Sequence, residues 1–291
     1  MTEPHRTVFK TADALELVAD RYGSPTRGSV LLAHGGGQTR HAWAKTAMAL
    51  ADRGWDVIAL DLRGHGESEW SPVGDYSMER FARDLADVAR DIGGRPALIG
   101  ASLGGLAGLY AEGLIAPGSF SSITLVDIVP SMDPNGAAKV LAFMGAHVDE
   151  GFSSLSEAAD VIAAYLPHRP RRTDLSGLAK NLRQGADGRY RWHWDPAFVS
   201  GVNRGRSLQD ADGFQVSLQR LTLPIHLIRG RQSELVSRDA AEAFVAPLAN
   251  ARFTDVAGAS HMVAGDRNDA FLDAVVEFLE HLQPRMQTHD R

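Results

Sequence analysis

An α/β fold, with a mostly parallel sheet covered by helices on both faces and interrupted once by a helical insertion, is what this sequence predicts. Three observations predict it. Short apolar runs bounded by Gly, Pro or Asp recur at strand length, helical patterns alternate with them, and the alternation lapses between about residues 131 and 215. A chain of 291 residues suits one core of roughly 200 residues carrying an insertion better than two independent domains.

Taken in order, Thr7 to Phe9 and Leu15 to Asp20 read as an antiparallel pair leading into the sheet. Buried strands follow at Ser29 to Ala33, Asp56 to Leu60, Pro96 to Gly100, Ser122 to Val126, Pro224 to Arg229 and Arg252 to Val256. Helical patterns lie between or after them at Ala42 to Asp52, Met78 to Asp91, Leu103 to Gly113, Arg238 to Leu248 and Asn268 to Leu282. Crossovers of that length imply parallel neighbours, because a parallel strand can be reached only by a connection that packs back over the sheet. The insertion carries helical stretches at Ala137 to His147 and Leu155 to Leu166. Pro167-His-Arg-Pro-Arg-Arg172 and Arg191-Trp-His-Trp-Asp-Pro196 suit loops and a partly apolar surface better than a strand.

Composition narrows the function classes. Apolar residues at 44% and charged residues at 23% are ordinary for a soluble globular chain. The net charge is −6 and the 30 basic residues are scattered, so no basic stripe exists for a phosphate backbone. Without cysteine, disulfides and thiolate nucleophiles are excluded. The first ten residues lack the apolar stretch of a secretory signal, and no segment approaches 18 uninterrupted apolar residues. The expectation is a cytoplasmic protein that meets a small-molecule substrate and neither nucleic acid nor membrane, as a monomer or homodimer.

The chemistry concentrates at strand ends. Pro96-Ala-Leu-Ile-Gly100 runs into Ala101-Ser102-Leu103-Gly104-Gly105 and then a helix, the context that a Gly-x-Ser-x-Gly nucleophile turn requires. Glycine two residues before and after the serine leaves room for backbone that a side chain would strike, although a serine at a strand end can also simply cap a helix. Leu31-Leu-Ala-His34-Gly-Gly-Gly37 ends an earlier strand in glycines whose N–H groups can face a developing oxyanion. Gly36 and Leu103 are the two expected donors. Late in the chain, His261 follows the strand ending at Val256, within reach of the same sheet edge. A neutral imidazole there suits the transfer of the serine proton.

Two carboxylates compete to orient that imidazole: Asp127, ending Ile123-Thr-Leu-Val-Asp127, and Glu234, after the next core strand. Trp192, Trp194, Phe143 and Met144 are candidates to line a substrate pocket, with packing inside the insertion as the alternative. Asp61 and His65 lie four residues apart without a third ligand, so no metal is expected. The arginines 169, 171 and 172 read as solvated surface.

Taken jointly, His34-Gly-Gly, Asp61-Leu-Arg-Gly-His-Gly-Glu-Ser68, Gly100-Ala-Ser102-Leu-Gly104 and Gly258-Ala-Ser-His261 resemble the α/β-hydrolase superfamily. The resemblance implies the α/β-hydrolase fold, with an eight-stranded sheet. It also implies a core of residues 1–130 and 216–291 under a helical cap, or lid, of residues 131–215. The usual loop after the seventh strand reads Gly-x-x-Asp in this superfamily, whereas Gly230-Arg-Gln-Ser233 has serine there and Glu234 one place late. Leu125-Val-Asp127-Ile-Val-Pro130 with that serine resembles a branch of small bacterial serine esterases whose acid follows the sixth strand, which favours Asp127. Epoxide hydrolases and dehalogenases of this fold use an aspartate nucleophile, where this chain has Ser102. The function implied is hydrolysis of an ester of a small, largely apolar substrate through an acyl-enzyme, without a cofactor. Carbon–carbon, lactone or amide hydrolysis, perhydrolysis, and a ligand-receptor role remain open, because fold and nucleophile do not fix the bond.

Overall fold

The computed structural model describes residues 3–24, 26–166, 174–203, 218 and 221–286. Its main sheet has eight strands: β1 (His5–Lys10), β2 (Glu16–Tyr22), β3 (Ser29–Ala33), β4 (Asp56–Leu60), β5 (Ala97–Ala101), β6 (Ser122–Val126), β9 (Ile225–Gly230) and β10 (Ala251–Val256). Their spatial order is β1-β2-β4-β3-β5-β6-β9-β10. Only the pairs β1–β2 and β2–β4 are antiparallel, and the rest of the sheet is parallel.

The inner strands are continuous apolar runs because both sheet faces are covered. Side-chain alternation then divides them. Leu31, Ile58, Leu60, Leu98, Ile123 and Leu125 belong to one core layer, and Val30, Leu32, Val57, Ala59, Ile99 and Val126 to the other. Helices α2 (Met78–Ile92) and α3 (Leu103–Tyr110) cover the first layer. Ser77 starts α2 by accepting the Arg80 N–H, and Phe81, Leu85 and Val88 recur at helical spacing on its buried face. The second layer lies under α1 (Ala44–Ala51) and the carboxy-terminal helix, whose Phe271, Val275 and Leu279 are buried. The helical pattern expected from Leu103 to Gly113 changes geometry at Tyr110, where the chain widens into a π turn over Ala111–Ile115.

Between β6 and β9 lie α4 (Pro134–Gly145), α5 (Leu155–Tyr165), α6 (Ser176–Ala179), a hairpin of β7 (Leu182–Gln184) and β8 (Tyr190–Trp192), and α7 (Pro196–Asn203). Asp133 caps α4 with Pro134 in its first turn, and Ser154 caps α5 while Glu157 reaches back to the Ser153 N–H. The hairpin corrects the expectation of loop at Arg191: Tyr190 to Trp192 is strand. Its signal is Asp187-Gly188, where Gly188 takes φ 76° in the turn. The arginines 169, 171 and 172 and the boundary at residue 215 lie outside the described residues. Met144, Phe152, Trp192, Trp194 and Phe198 of this segment join the core layer under α2 and α3, so the insertion is packed onto the sheet's carboxyl edge rather than standing apart. Helix α8 (Arg238–Val245), beside β10, packs on the first layer through Ala241, whereas α9 (Val263–Asp266) and α10 (Asn268–Met286) lie over the second.

Candidate active site

β5 delivers Ser102 in a turn that costs conformational energy. Its backbone sits at φ 45°, ψ −112°, a region that a residue with a side chain holds only when its surroundings force it. The surroundings are backbone at close range. A Cβ on Gly100 would lie 2.6 Å from Gly105 N, and one on Gly104 2.5 Å from Ala33 O. Ser102 N–H donates to Val126 O (3.2 Å), tying the turn to the next strand. Leu103 opens α3, so its N–H projects from the positive end of a helix.

Asp127 ends β6 beside it, in the left-handed region at φ 51°, with its side chain fully buried. Oδ1 accepts Gly230 N–H (2.9 Å), and Oδ2 accepts both Ser233 Oγ–H (2.5 Å) and His261 Nδ1 (2.8 Å). A buried carboxylate at that distance makes Nδ1 the protonated nitrogen, leaving Nε2 as the basic one. Ser233 is held in turn by the amides of Leu235 and Val236, each at 3.1 Å. Glu234 does not meet His261. Its side chain is 70% exposed and pairs with Lys139 of α4 at 3.1 Å.

The glycine loop after β3 lies against the turn, a Cβ on Gly35 falling 3.3 Å from Ser102 Cβ. Gly35 N–H donates to Gln38 Oε1 (3.1 Å), while Gln38 Nε2 contacts Met262 Sδ (3.0 Å), next to His261. Gly37 N–H donates to His65 Nε2 (3.1 Å). Within this loop and the Ser102 turn, Gly35, Gly37, Gln38, Ser102 and Gly104 N–H are occupied, while Gly36 N–H and Leu103 N–H have no acceptor among the described residues and are free to serve a bound oxygen. The direction of Gly36 N–H is fixed indirectly. It shares a planar trans peptide with Gly35 C=O, and that carbonyl accepts from His34 Nδ1 (2.7 Å) and Gln38 N–H (3.1 Å).

The imidazoles around this loop are neutral. Burial pushes His34 down to about 4, and burial followed by the neighbouring His34 pushes His65 to about 3. Asp61, buried beside them, accepts Arg40 N–H (2.6 Å) and Glu67 N–H (2.9 Å) and forms an ion pair with the Arg40 guanidinium. Neither Asp61 nor His65 is directed to a shared ligand position, and among the described residues no group of three His, Asp or Glu side chains is arranged to hold a metal.

The insertion's aromatic residues divide. Met144 and Trp194 reach the loop: a Cβ on Gly37 would lie 3.2 Å from Met144 Cε and 3.3 Å from Trp194 Cζ3. Trp192 stacks on Trp194 (4.7 Å) and donates to Ala146 O (3.0 Å), and Phe143 stacks on Tyr165 (4.0 Å), so both pack within the insertion. Phe198, which sequence reasoning passed over, lies 3.5 Å from a Cβ on Gly36. Gln38, Ser233 and His193 were likewise not singled out as site residues, and each acts through a hydrogen bond to a partner far along the chain or in the backbone.

Residues 28–267 match a family described as alpha/beta hydrolase fold. Over 219 residues the chain is 31% identical to esterase Rv0045c of Mycobacterium tuberculosis, covering 73% of this chain and 70% of that protein. The solved structure of that esterase superposes with a TM-score of 0.76 at 26% identity, over 96% of this chain and 93% of the other. A 3-hydroxybutyrate-oligomer hydrolase of Cupriavidus necator is 26% identical over 238 residues, 77% of this chain and 80% of that protein.

Proposed function

The chain belongs to the α/β-hydrolase family, and from that premise we propose that it is a serine hydrolase of carboxylic esters. Ser102 is the nucleophile, His261 the general base, Asp127 the acid that orients it, and the Gly36 and Leu103 amides are the oxyanion donors. The observation that carries this reading is the His261–Asp127 contact of 2.8 Å. It supports the tautomer in which Nε2 is free to take a proton, and its carboxylate directly follows Val126, whose carbonyl accepts the N–H of Ser102 on its strained turn. The similarity to an esterase over most of both chains supports the ester bond as the one cleaved.

In this reading Ser102 Oγ attacks the ester carbonyl as its proton passes to His261 Nε2. The carbonyl oxygen gathers negative charge between the two free amides, which are preorganised and need no rearrangement to receive it. The imidazolium, stabilised by Asp127, then protonates the departing alcohol. A water molecule gives its proton to the same Nε2 as it attacks the acyl-enzyme, and collapse of the second intermediate returns the proton to Ser102. Residues 131–215 act as the cap, with Met144, Trp194 and Phe198 bounding the acyl site above Gly36 and Gly37.

Hydrolysis of p-nitrophenyl esters from acetate to decanoate, by wild type and Ser102→Ala in parallel, tests it. Turnover is expected in wild type, with a fall on the order of 10⁴-fold or more in the variant. Folded wild-type protein that cleaves none of the series, or a variant that retains turnover, sinks the ester reading.

A further inference from the structure

His193, directly after β8 in the insertion, is 2% exposed and bridges two loops of the core. Its Nδ1 accepts Gly66 N–H at 2.8 Å, so in the neutral ring the proton sits on Nε2, which faces Gly37 O at 3.3 Å. Burial, followed by the neighbouring His65, pushes this imidazole down to about 2, which keeps it in the form that offers one acceptor and one donor. Gly37 is therefore gripped on both sides, its N–H by His65 from the core and its C=O by His193 from the insertion.

We propose that His193 is a positioning residue through which the seating of the insertion sets the direction of the Gly36 N–H. The path is a sequence of planar peptides. His193 Nε2–H holds Gly37 C=O, and the Gly37–Gln38 peptide plane carries Gln38 N–H. That N–H donates to Gly35 C=O at 3.1 Å, and the Gly35–Gly36 peptide plane carries Gly36 N–H. Gly35 C=O shares this hold with His34 Nδ1 at 2.7 Å, so turning the first carbonyl removes one of the two restraints on the last amide and frees it to tilt. Trp194, the next residue, lies against Gly37 as well, so the polar tie and the apolar contact arrive from one segment. The assignment of Gly36 as a donor rests on the ester reading above, whereas the tie itself rests on the structure alone.

Two isosteric variants separate the ring's two bonds. The amide of His193→Asn sits near the Nδ1 position and keeps an acceptor for Gly66 N–H, but falls short of Gly37 O. The amide of His193→Gln reaches the Nε2 position and keeps the donor to Gly37 O. The measurements are kcat and KM on p-nitrophenyl acetate, with hydrogen exchange of the peptide covering residues 33–39. His193→Asn is expected to lower kcat by about 10- to 100-fold, below the loss of a whole oxyanion donor, with KM within about twofold. Exchange at residues 35–38 is expected to accelerate in that variant, and His193→Gln to recover both within about threefold. Unchanged exchange in His193→Asn overturns the tie. Accelerated exchange with unchanged kcat overturns its role in the reaction, and equal damage in both variants marks His193 as merely structural. If wild type cleaves no ester while the exchange difference persists, the ester reading fails and the tie from insertion to loop stands.

Discussion

The turn at Ser102 and the loop at Gly35–Gly37 lie against each other, a Cβ on Gly35 falling 3.3 Å from Ser102 Cβ, yet they are held by opposite means. The turn is fixed by exclusion, since any Cβ on Gly100 or Gly104 would enter backbone at 2.6 or 2.5 Å. The loop is fixed by reach, since Gln38, His65 and His193 bring side chains to its peptide groups from its own turn, from the core and from the insertion. Exclusion is local and answers to the sheet and to the first turn of α3. Reach answers to wherever the distant residue sits, so one half of the site is built into the fold and the other half depends on how the insertion docks.

If the turn side is the rigid half, disturbing what abuts it should cost most. Asp127→Asn keeps the shape but turns an acceptor toward His261 into an amide that favours the wrong tautomer. Its kcat on p-nitrophenyl acetate is expected to fall about 10³- to 10⁴-fold. Glu234→Gln, on the exposed partner of Lys139, should stay within about twofold, and a reversed ranking would move the acid to Glu234. Next in size is Gly104→Ala. The new methyl meets Ala33 O and Ala33 C, backbone of a central strand that cannot yield. A loss of at least about 3 kcal/mol in denaturant unfolding is expected, by the overpacking that buried sites tolerate worst. A mild effect would mean that the turn is not held by exclusion.

What could be read from the sequence follows the same division. The strands Ser29–Ala33, Asp56–Leu60 and Ser122–Val126 are legible because strands buried on both faces are unbroken apolar runs. The position of Ser102 is legible because exclusion writes itself as glycines at fixed spacing around it. Asp127 and Glu234 both follow core strands, so spacing alone left both open and the resemblance carried by Ser233 favoured Asp127; in the structure Asp127 turns inward at φ 51° while Glu234 meets Lys139. Phe198 and His193 left no local signal: their partners lie more than 100 residues away, and an aromatic or a histidine after a short strand reads as packing. The β7–β8 hairpin did leave one, Asp187-Gly188, but its three-residue strands are too short for a period to show.

The loop side has its own signature in pH. His34, His65 and His193 carry pKa values lowered by burial to about 4, 3 and 2. A histidine with a folded pKa below its unfolded value near 6.5 stays neutral in the fold while the unfolded chain takes up its proton. Its stabilising contribution is therefore intact above about pH 6.5 and is lost as pH falls from there toward the folded pKa. Between pH 6.5 and 5 this amounts to at most roughly 2 kcal/mol for each imidazole, from 1.36 kcal/mol per pH unit. Denaturant unfolding of wild type and His193→Gln at pH 7 and pH 5 isolates one of them. The acid-side loss is expected to be about 1–2 kcal/mol smaller in the variant, and equal losses would mean that His193 titrates normally in the fold.

The smallest effect should come from Gly36→Ala, and it sharpens the comparison most. Gly36 is not among the positive-φ residues, and a Cβ there would stand 3.5 Å from Phe198 Cζ and 3.6 Å from Met144 Sδ, ordinary contact with the ends of side chains. Alanine also leaves the N–H in place. Stability should be unchanged or raised by up to about 1 kcal/mol, because a compatible Gly→Ala change reduces the freedom of the unfolded chain. Set against Gly104→Ala, a chemically identical change, the difference measures exclusion directly, since one methyl enters backbone and the other enters a gap between loop and insertion. Activity then tells what the gap is for. A retained kcat on acetate with a raised KM on longer esters would place the acyl chain over Gly36, under Phe198 and Met144. A kcat that collapses on acetate as well, with stability intact, would mean that the methyl tilts the amide itself, and that the loop has less freedom than its contacts suggest.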